Sequence, residues 1–231
     1  MKTLGRWLRR LLWLGLGLIV LWQLWLLGWV LFWKWVDPGS TRFMEIRLAE
    51  LQLKQPKAQL KQQWVPYARI SPHLKRAIIA AEDAKFVDHE GFDWEGIQKA
   101  IEKNQKKGQL VAGGSTISQQ LAKNLFLTPN KTFLRKAEEA VITLMLETLW
   151  DKRRIFEVYL NVIEWGNGVF GAEAAARHYY GIAAAQLGPE QAARLAGMVP
   201  NPRYYDRNRG APGLQRKTEI ILGRMGAAEI P

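Results

Sequence analysis

Three stretches of this 231-residue sequence combine residue types that could do chemistry together. The first, Ala80–Phe92, reads AAEDAKFVDHEGF and puts four acids and a histidine directly after an apolar helical pattern. A carboxylate at the end of an apolar face, Glu82, is partly desolvated; its pKa rises and it becomes a better base near neutral pH. Solvated acids at a surface helix end would give the same letters. The second stretch is GGSTISQQLAKNLF, residues 113–126. Its glycines allow close backbone approach, the following helix N-terminus can accept an anion, and Lys123 lies about two turns in. A loop before a well-capped helix is the plain alternative. The third stretch is KTFLRKAEE, 131–139, where Lys131, Arg135 and Lys136 accompany Glu138 and Glu139. Arg135 and Glu139, four residues apart, could equally pair along a solvated helix. Together, a carboxylate base and several cations suit glycosyl transfer from a diphosphate donor. The base takes a proton from an acceptor hydroxyl, and the leaving diphosphate needs charge stabilisation more than protonation.

The elements that must position these groups read as helices. Ser71-Pro72 forms an N-cap with proline in the first turn. Leu74, Ala77, Ile78 and Ala81 then repeat at helical spacing and deliver Glu82 at the helix end. A second helix is expected over 93–107, with Ile97, Ala100 and Ile101 inward, followed by the loop KKGQLVAGG. Thr116 and Gln119 form a capping box for a helix running through Leu121 and Leu125. A long helix is expected over 132–150 with Ala137, Ala140, Val141 and Leu144 on one face, and Ile155, Val158, Tyr159 and Val162 mark the next. Gly166-Asn167-Gly168 breaks it. An alanine-rich helix over 171–180 stops at Gly181, and another runs from Pro189 to Met198. No convincing series of alternating strands and no internal repeat is visible, so the body reads as mostly helical.

Composition bounds the partners. The chain has no cysteine, which excludes disulfides and cysteine-based metal sites, and its formal net charge is +12. A basic body favours nucleic acid, anionic lipid or phosphorylated substrates. The N-terminus favours the membrane. Residues 11–33, LLWLGLGLIVLWQLWLLGWVLFW, contain a single polar side chain, Gln23, over a length that can cross a bilayer. Lys2, Arg6, Arg9 and Arg10 precede the run, and seven of the eleven tryptophans fall within residues 1–36. Tryptophan favours the bilayer interface and a basic flank stays cytoplasmic. The run exceeds a signal-peptide core and no convincing cleavage site follows it. The expected organisation is a cytoplasmic basic N-terminus (1–10), a transmembrane anchor (11–33), a connector (34–60) and a body (61–231) outside the cytoplasmic membrane.

The motifs resemble those of the peptidoglycan glycosyltransferases, the polymerising domain of bifunctional penicillin-binding proteins. Glu82-Asp83-x-x-Phe86-x-x-His89-x-Gly91 is similar to the family's first motif. Residues 113–124, with Gly114, Ser115, Thr116, Gln119, Gln120, Lys123 and Asn124, are similar to the second, and Arg135-Lys136-x-x-Glu139 to the third. Lys152–Gly171 and residues 192–207 resemble later stretches, with Arg207 where the pattern has proline. The likeness covers about 60–225. No Ser-x-x-Lys or Lys-Thr-Gly occurs, so the chain resembles the monofunctional, membrane-anchored branch.

The resemblance implies an all-α, lysozyme-like domain of two lobes with a cleft. It also implies polymerisation of lipid II into β-1,4 glycan with inversion at the anomeric carbon. It makes Glu82 the base and gives Glu139 a donor-side role. Lys123, Lys131, Arg135 and Lys136 are expected at the diphosphate, with lysine at 131 where many relatives carry the bidentate arginine. Ser115, Thr116, Gln119, Gln120 and Asn124 line the sugar and phosphate site. Asp83, Phe86, His89 and Gly114 belong to the same region, with Phe86, His89 and Phe92 shaping the turn around the base. No cofactor is required beyond room for a divalent cation such as Mg2+ at the diphosphate. The partners implied are lipid II, the growing glycan chain and the membrane, with other cell wall synthesis proteins as candidates and no nucleic acid. Two rival readings are a lytic, lysozyme-type enzyme, which needs one acid and no diphosphate site, and a non-enzymatic glycan-binding scaffold, which needs no base.

Overall fold

The computed structural model describes residues 2–108 and 114–231 and divides into two compact units, residues 1–37 and 38–231. The first unit is the helix α1 (Lys2–Trp33). Its segment Arg6–Trp33 is 28 residues long with a mean hydropathy of 2.0. At 1.5 Å per residue it spans about 40 Å, more than the roughly 30 Å of a bilayer's hydrocarbon core. Trp22, Trp25, Trp29 and Trp33 fall on one face, the first pair stacked with centroids 4.9 Å apart and the last 5.1 Å apart.

The second unit carries, among the described residues, ten helices and one small sheet. In chain order these are α2 (Arg42–Gln52), β1 (Lys61–Gln62), α3 (Pro72–Glu82), α4 (Trp94–Lys107), α5 (Ile117–Phe126), α6 (Phe133–Leu149) and α7 (Lys152–Val162). They continue with β2 (Glu164–Gly166), β3 (Val169–Phe170), α8 (Ala172–Tyr180), α9 (Pro189–Met198), α10 (Pro202–Arg207) and α11 (Pro212–Arg224). The expected caps are present. Ser71 accepts from the His73 N–H, Thr116 and Gln119 make a reciprocal capping box, and Gly181 ends α8 at φ +70°, a conformation open to glycine. α2, which falls within the connector of the sequence reading, packs against α5.

Three features differ from the expectations. Gly166-Asn167-Gly168 does more than end a helix: it turns a hairpin in which β2 pairs antiparallel with β3, while β1 joins β3 in parallel, Lys61 opposite Val169. These strands are two or three residues long, too short to leave an alternating pattern. On α6 the anticipated apolar face is turned outward. Val141 and Leu144 are exposed, as are Phe133 and Leu134, whereas Glu139, Ile142, Thr143 and Leu146 are buried. Both faces of this helix are apolar enough to be core, and packing against α5 selects the one that carries Glu139. On α4, Ile97 and Ala100 are partly buried as expected but Ile101 is exposed. Of the loop KKGQLVAGG, residues 109–113 lie outside the described residues.

The body's helices pack in two sets. α3 lies against α9 and α11, and α5 against α6 and α7. The core they share is dominated by fully buried Leu74, Ile78, Phe86, Leu121, Phe156, Tyr159 and Trp165. Asn161 fastens the chain before α3 to α7. Its Oδ1 accepts from the Val65 N–H (2.9 Å), and its Nδ2 donates to the Val65 carbonyl (3.0 Å) and to that of Glu157 (2.9 Å). Wholly buried, Asn161 acts as a short piece of strand for Val65. Replacing it with alanine orphans two buried backbone groups at about 1–3 kcal/mol each. Asn161→Ala is therefore expected to lower the denaturant midpoint strongly; an unchanged midpoint would show that water replaces the amide.

Candidate active site

Glu82 is the last residue of α3 and Asp83 its C-cap, and the structure gives these two adjacent carboxylates different work. Asp83 is buried and fully engaged. Its Oδ2 accepts from the Ile117 N–H (2.9 Å), one of the first-turn amides of α5 that lack an intrahelical partner, and Oδ1 takes the His89 Nε2–H (2.9 Å). The His89 Nδ1 accepts from the Gly91 N–H (3.1 Å), so the neutral ring presents its proton to Asp83. Gly91 sits at φ +86°, where a Cβ would lie 2.7 Å from Thr143 Cγ2, and its carbonyl accepts from the Thr116 hydroxyl (2.7 Å). Phe86 is wholly buried against Phe156, with the Lys152 ammonium 4.7 Å above its ring. Lys152 also donates to the His89 carbonyl and to Glu147 Oε1, which in turn accepts from Ser118. Asp83, Phe86 and His89 thus build the turn and tie α3 to α5; none of the three presents a free polar atom to a ligand.

Glu82 is the opposite case. It is partly exposed, and its Oε2 accepts from Gln120 Nε2 at 2.8 Å. Burial pushes its carboxyl above the ordinary range, against the Gln120 hydrogen bond and the positive charges of Lys217 and Lys123, which favour the ionised form. Gln120 is itself held: its Oε1 accepts from the buried Tyr159 hydroxyl at 2.9 Å. Two cavities meet Glu82. One, about 200 Å³, runs toward Gly114, Ser115 and the start of α5; the other, about 170 Å³, lies between α3, α9 and α11 and is lined by Lys217, Arg224 and apolar side chains.

The basic residues fall where α5 faces α6. The buried Glu139 carboxylate is gripped by Arg135 on one oxygen and Lys136 on the other. Lys136 also reaches Ser115 Oγ at 3.4 Å. Lys123, one turn beyond Gln120 on α5, interacts with both Glu82 and Glu139; burial pushes its ammonium below the usual lysine range, and Glu139 opposes that shift. Two cations therefore pair with one carboxylate while Lys123 adds a third positive charge, and the buried Arg135 Nε has no hydrogen-bond acceptor. A surplus of positive charge with an unused donor has the chemistry to accept an anion.

The remaining predicted residues divide by role. Thr116 and Gln119 are buried in the capping box, and Asn124 donates back to the Gln120 carbonyl (2.7 Å). Gly114 lets this segment approach α4, since a Cβ there would meet Ile97 at 3.1 Å. Lys131 is exposed and outside the charge cluster. Among the described residues no three histidine, aspartate or glutamate side chains gather as a metal cluster, and both Glu139 oxygens are engaged by Arg135 and Lys136. Two participants escaped the sequence reading. Tyr159 was legible as a core position by its periodicity, with nothing to mark its hydroxyl. Lys217 is 135 residues from Glu82 and belongs to no local motif.

Comparison with known proteins shows the family of the chain. A family model described as transglycosylase matches residues 49–226. The chain is 82% identical to the biosynthetic peptidoglycan transglycosylase of Dechloromonas aromatica (strain RCB) over the full length of both. It is 62% identical to that of Azoarcus sp. (strain BH72), again over both full lengths. It is 64% identical to that of Chromobacterium violaceum over 92% of this chain and 93% of the relative. The matched region holds every element that positions Glu82 and the charge cluster, and the chain belongs to the transglycosylase family.

Proposed function

We propose that Glu82 is the general base, and Lys123, Arg135 and Lys136 the diphosphate-holding cations, of a peptidoglycan glycosyltransferase. The enzyme polymerises lipid II into β-1,4-linked glycan strands, with inversion, in bacterial cell wall synthesis. In this reading the growing chain is the donor and the next lipid II the acceptor. The acceptor hydroxyl oxygen bonds to the anomeric carbon as its proton passes to Glu82. The bond to the diphosphate breaks on the opposite side of the sugar, and undecaprenyl diphosphate leaves with the electron pair. The carboxylate must be ionised to act, and its raised pKa makes it a stronger base than an exposed glutamate. Developing charge on the leaving group meets the cations around Glu139.

The observation that carries this reading is the pairing of a partly buried carboxylate with a surplus of cations. A raised glutamate pKa alone would suit the general acid of a lytic enzyme just as well. Two cations bonded to one buried carboxylate, with Lys123 adding its charge, have no task in such an enzyme and a direct one at a diphosphate. Glu139 orients Arg135 and Lys136. Lys131, on the exposed approach, contributes long-range attraction.

Residues 11–33 anchor the enzyme in the membrane. Residues 1–10 lie in the cytoplasm and the catalytic body on the outer side, supported by the basic residues that precede the apolar run. A periplasm-dependent reporter fused to the C-terminus should be active, and activity of a cytoplasm-only reporter would reverse the orientation.

Glu82→Gln should lower polymerisation by on the order of 10²–10⁴-fold. The same variant should keep or gain stability at neutral pH. A carboxyl whose folded pKa lies above its unfolded value costs stability once pH exceeds the folded pKa, and that cost fades as pH falls through it. Thermal melts across pH check this, and a large loss of melting temperature at neutral pH would mark Glu82 as structural. Lys123→Ala and Arg135→Ala should each reduce turnover by on the order of 10²-fold. They should weaken binding of a lipid diphosphate more than that of a phosphate-free sugar; equal loss for both ligands would mean that the cluster only shapes the cleft.

A further inference from the structure

We infer that Tyr159 and Gln120 form a positioning relay that keeps Glu82 ionised and aimed, with Gln120 acting on the base rather than on the substrate. The inference rests on Glu82 being the base and extends that assignment to how the base is controlled.

The geometry fixes the relay's direction. Tyr159 is wholly buried on α7, in contact with Phe156, and its hydroxyl lies 2.9 Å from Gln120 Oε1. Burial, with the nearby Glu82 and Asp83 charges, holds this hydroxyl protonated. The phenol proton goes to the amide oxygen, its hydrogen-bond partner in this buried site, and the amide nitrogen is left facing Glu82 Oε2 at 2.8 Å. An N–H aimed at a carboxylate favours its ionised form; an amide oxygen in the same place would favour the protonated form. The tyrosine thus selects which end of the amide meets the base. It also leaves Glu82 Oε1 without a hydrogen bond to Gln120, free for the proton of an incoming hydroxyl.

Three helices contribute one group each: α3 the carboxylate, α5 the amide and α7 the phenol. Because α5 also carries Lys123, one turn on, the same helix sets the base and one of the cations. The other groups around Glu82 are Lys217 from α11, Lys123 from α5 and Asp83 beside it on the chain. From α9 the cavity wall is Ala196, Gly197 and the Pro200 that follows, none of which titrates. Arg224 of α11 lines the same cavity. The lysines act through charge from whichever side they approach, whereas the amide acts only in one orientation. That difference makes the relay separable by experiment.

The test is the pH profile of lipid II polymerisation by the full-length protein in detergent micelles. Loss of the Tyr159 hydroxyl frees the amide to turn, so the Glu82 pKa rises and the acid limb of turnover moves to higher pH. Tyr159→Phe is expected to shift that limb upward by about one unit. Turnover should fall about 10-fold below the limb and recover nearly to wild type above it, with KM for lipid II little changed. Gln120→Met, which keeps the volume and removes the hydrogen bonds, should give the same shift, and the double variant no further one. Gln120→Met also carries the test if Tyr159→Phe does not fold. A uniform loss at every pH, or a changed KM with an unmoved limb, would overturn the relay. Glu82→Gln separates the two readings. If it polymerises at the wild-type rate, the base assignment fails and the relay with it. If it is inactive while the acid limb of Tyr159→Phe stays in place, the relay alone fails.

Discussion

The site depends on the Asp83 carboxylate, buried at the junction of two helices. It ends α3, takes an otherwise unpaired amide at the start of α5 and holds the His89 ring. A buried charge is tolerated when hydrogen bonds satisfy it, and here the partners come from separate segments. Satisfying Asp83 therefore brings the C-terminus of one helix to the N-terminus of another. Glu82, one residue earlier, is then placed beside Gln120, one turn into α5. The placement of Glu82 is a consequence of charge burial at its neighbour.

The same junction explains why adjacent acids differ so sharply. Both are crowded by protein, yet Asp83 has His89 and a helix amide, whereas Glu82 has one amide N–H and only longer-range positive charge from Lys217 and Lys123. Under-compensation is what suits Glu82 to the proposed role of base. A carboxylate as fully bonded as Asp83 would be a poor base, and one bathed in water would be too weak. The turn that follows Asp83 is braced by the Thr116–Gly91 and Lys152–Glu147 contacts.

The cation cluster follows a parallel logic on α6. Arg135, Lys136 and Glu139 are neighbours on one helical face, so their ion pairs are local. Local pairs alone would be unremarkable in energy. Their orientation toward α5 adds Lys123, and the cluster becomes net positive around a buried carboxylate. The apolar surface of α6 that faces outward, Phe133, Leu134, Val141 and Leu144, is the counterpart of that choice. One helix cannot bury both faces against α5.

How much of this is legible in the chain depends on the range of the interaction concerned. Helix starts and stops were readable at Ser71-Pro72, Thr116–Gln119 and Gly181, because a cap is a contact between residues two to four apart. The Glu82–Asp83 pair and the Lys123, Arg135 and Lys136 set were readable as candidates, because their types and local spacing carry the chemistry. The motif resemblance then led to the family. The sequence by itself determined the helical composition, the apolar N-terminal helix and the residues that could react. Tertiary structure alone decided which acid of the adjacent pair is left under-bonded, which face of α6 turns inward, and that Tyr159 and Lys217 converge on Glu82. The physical reason is that desolvation and hydrogen-bond partnership depend on what lies across the gap between helices, and residues 77 and 135 positions from Glu82 supply it here.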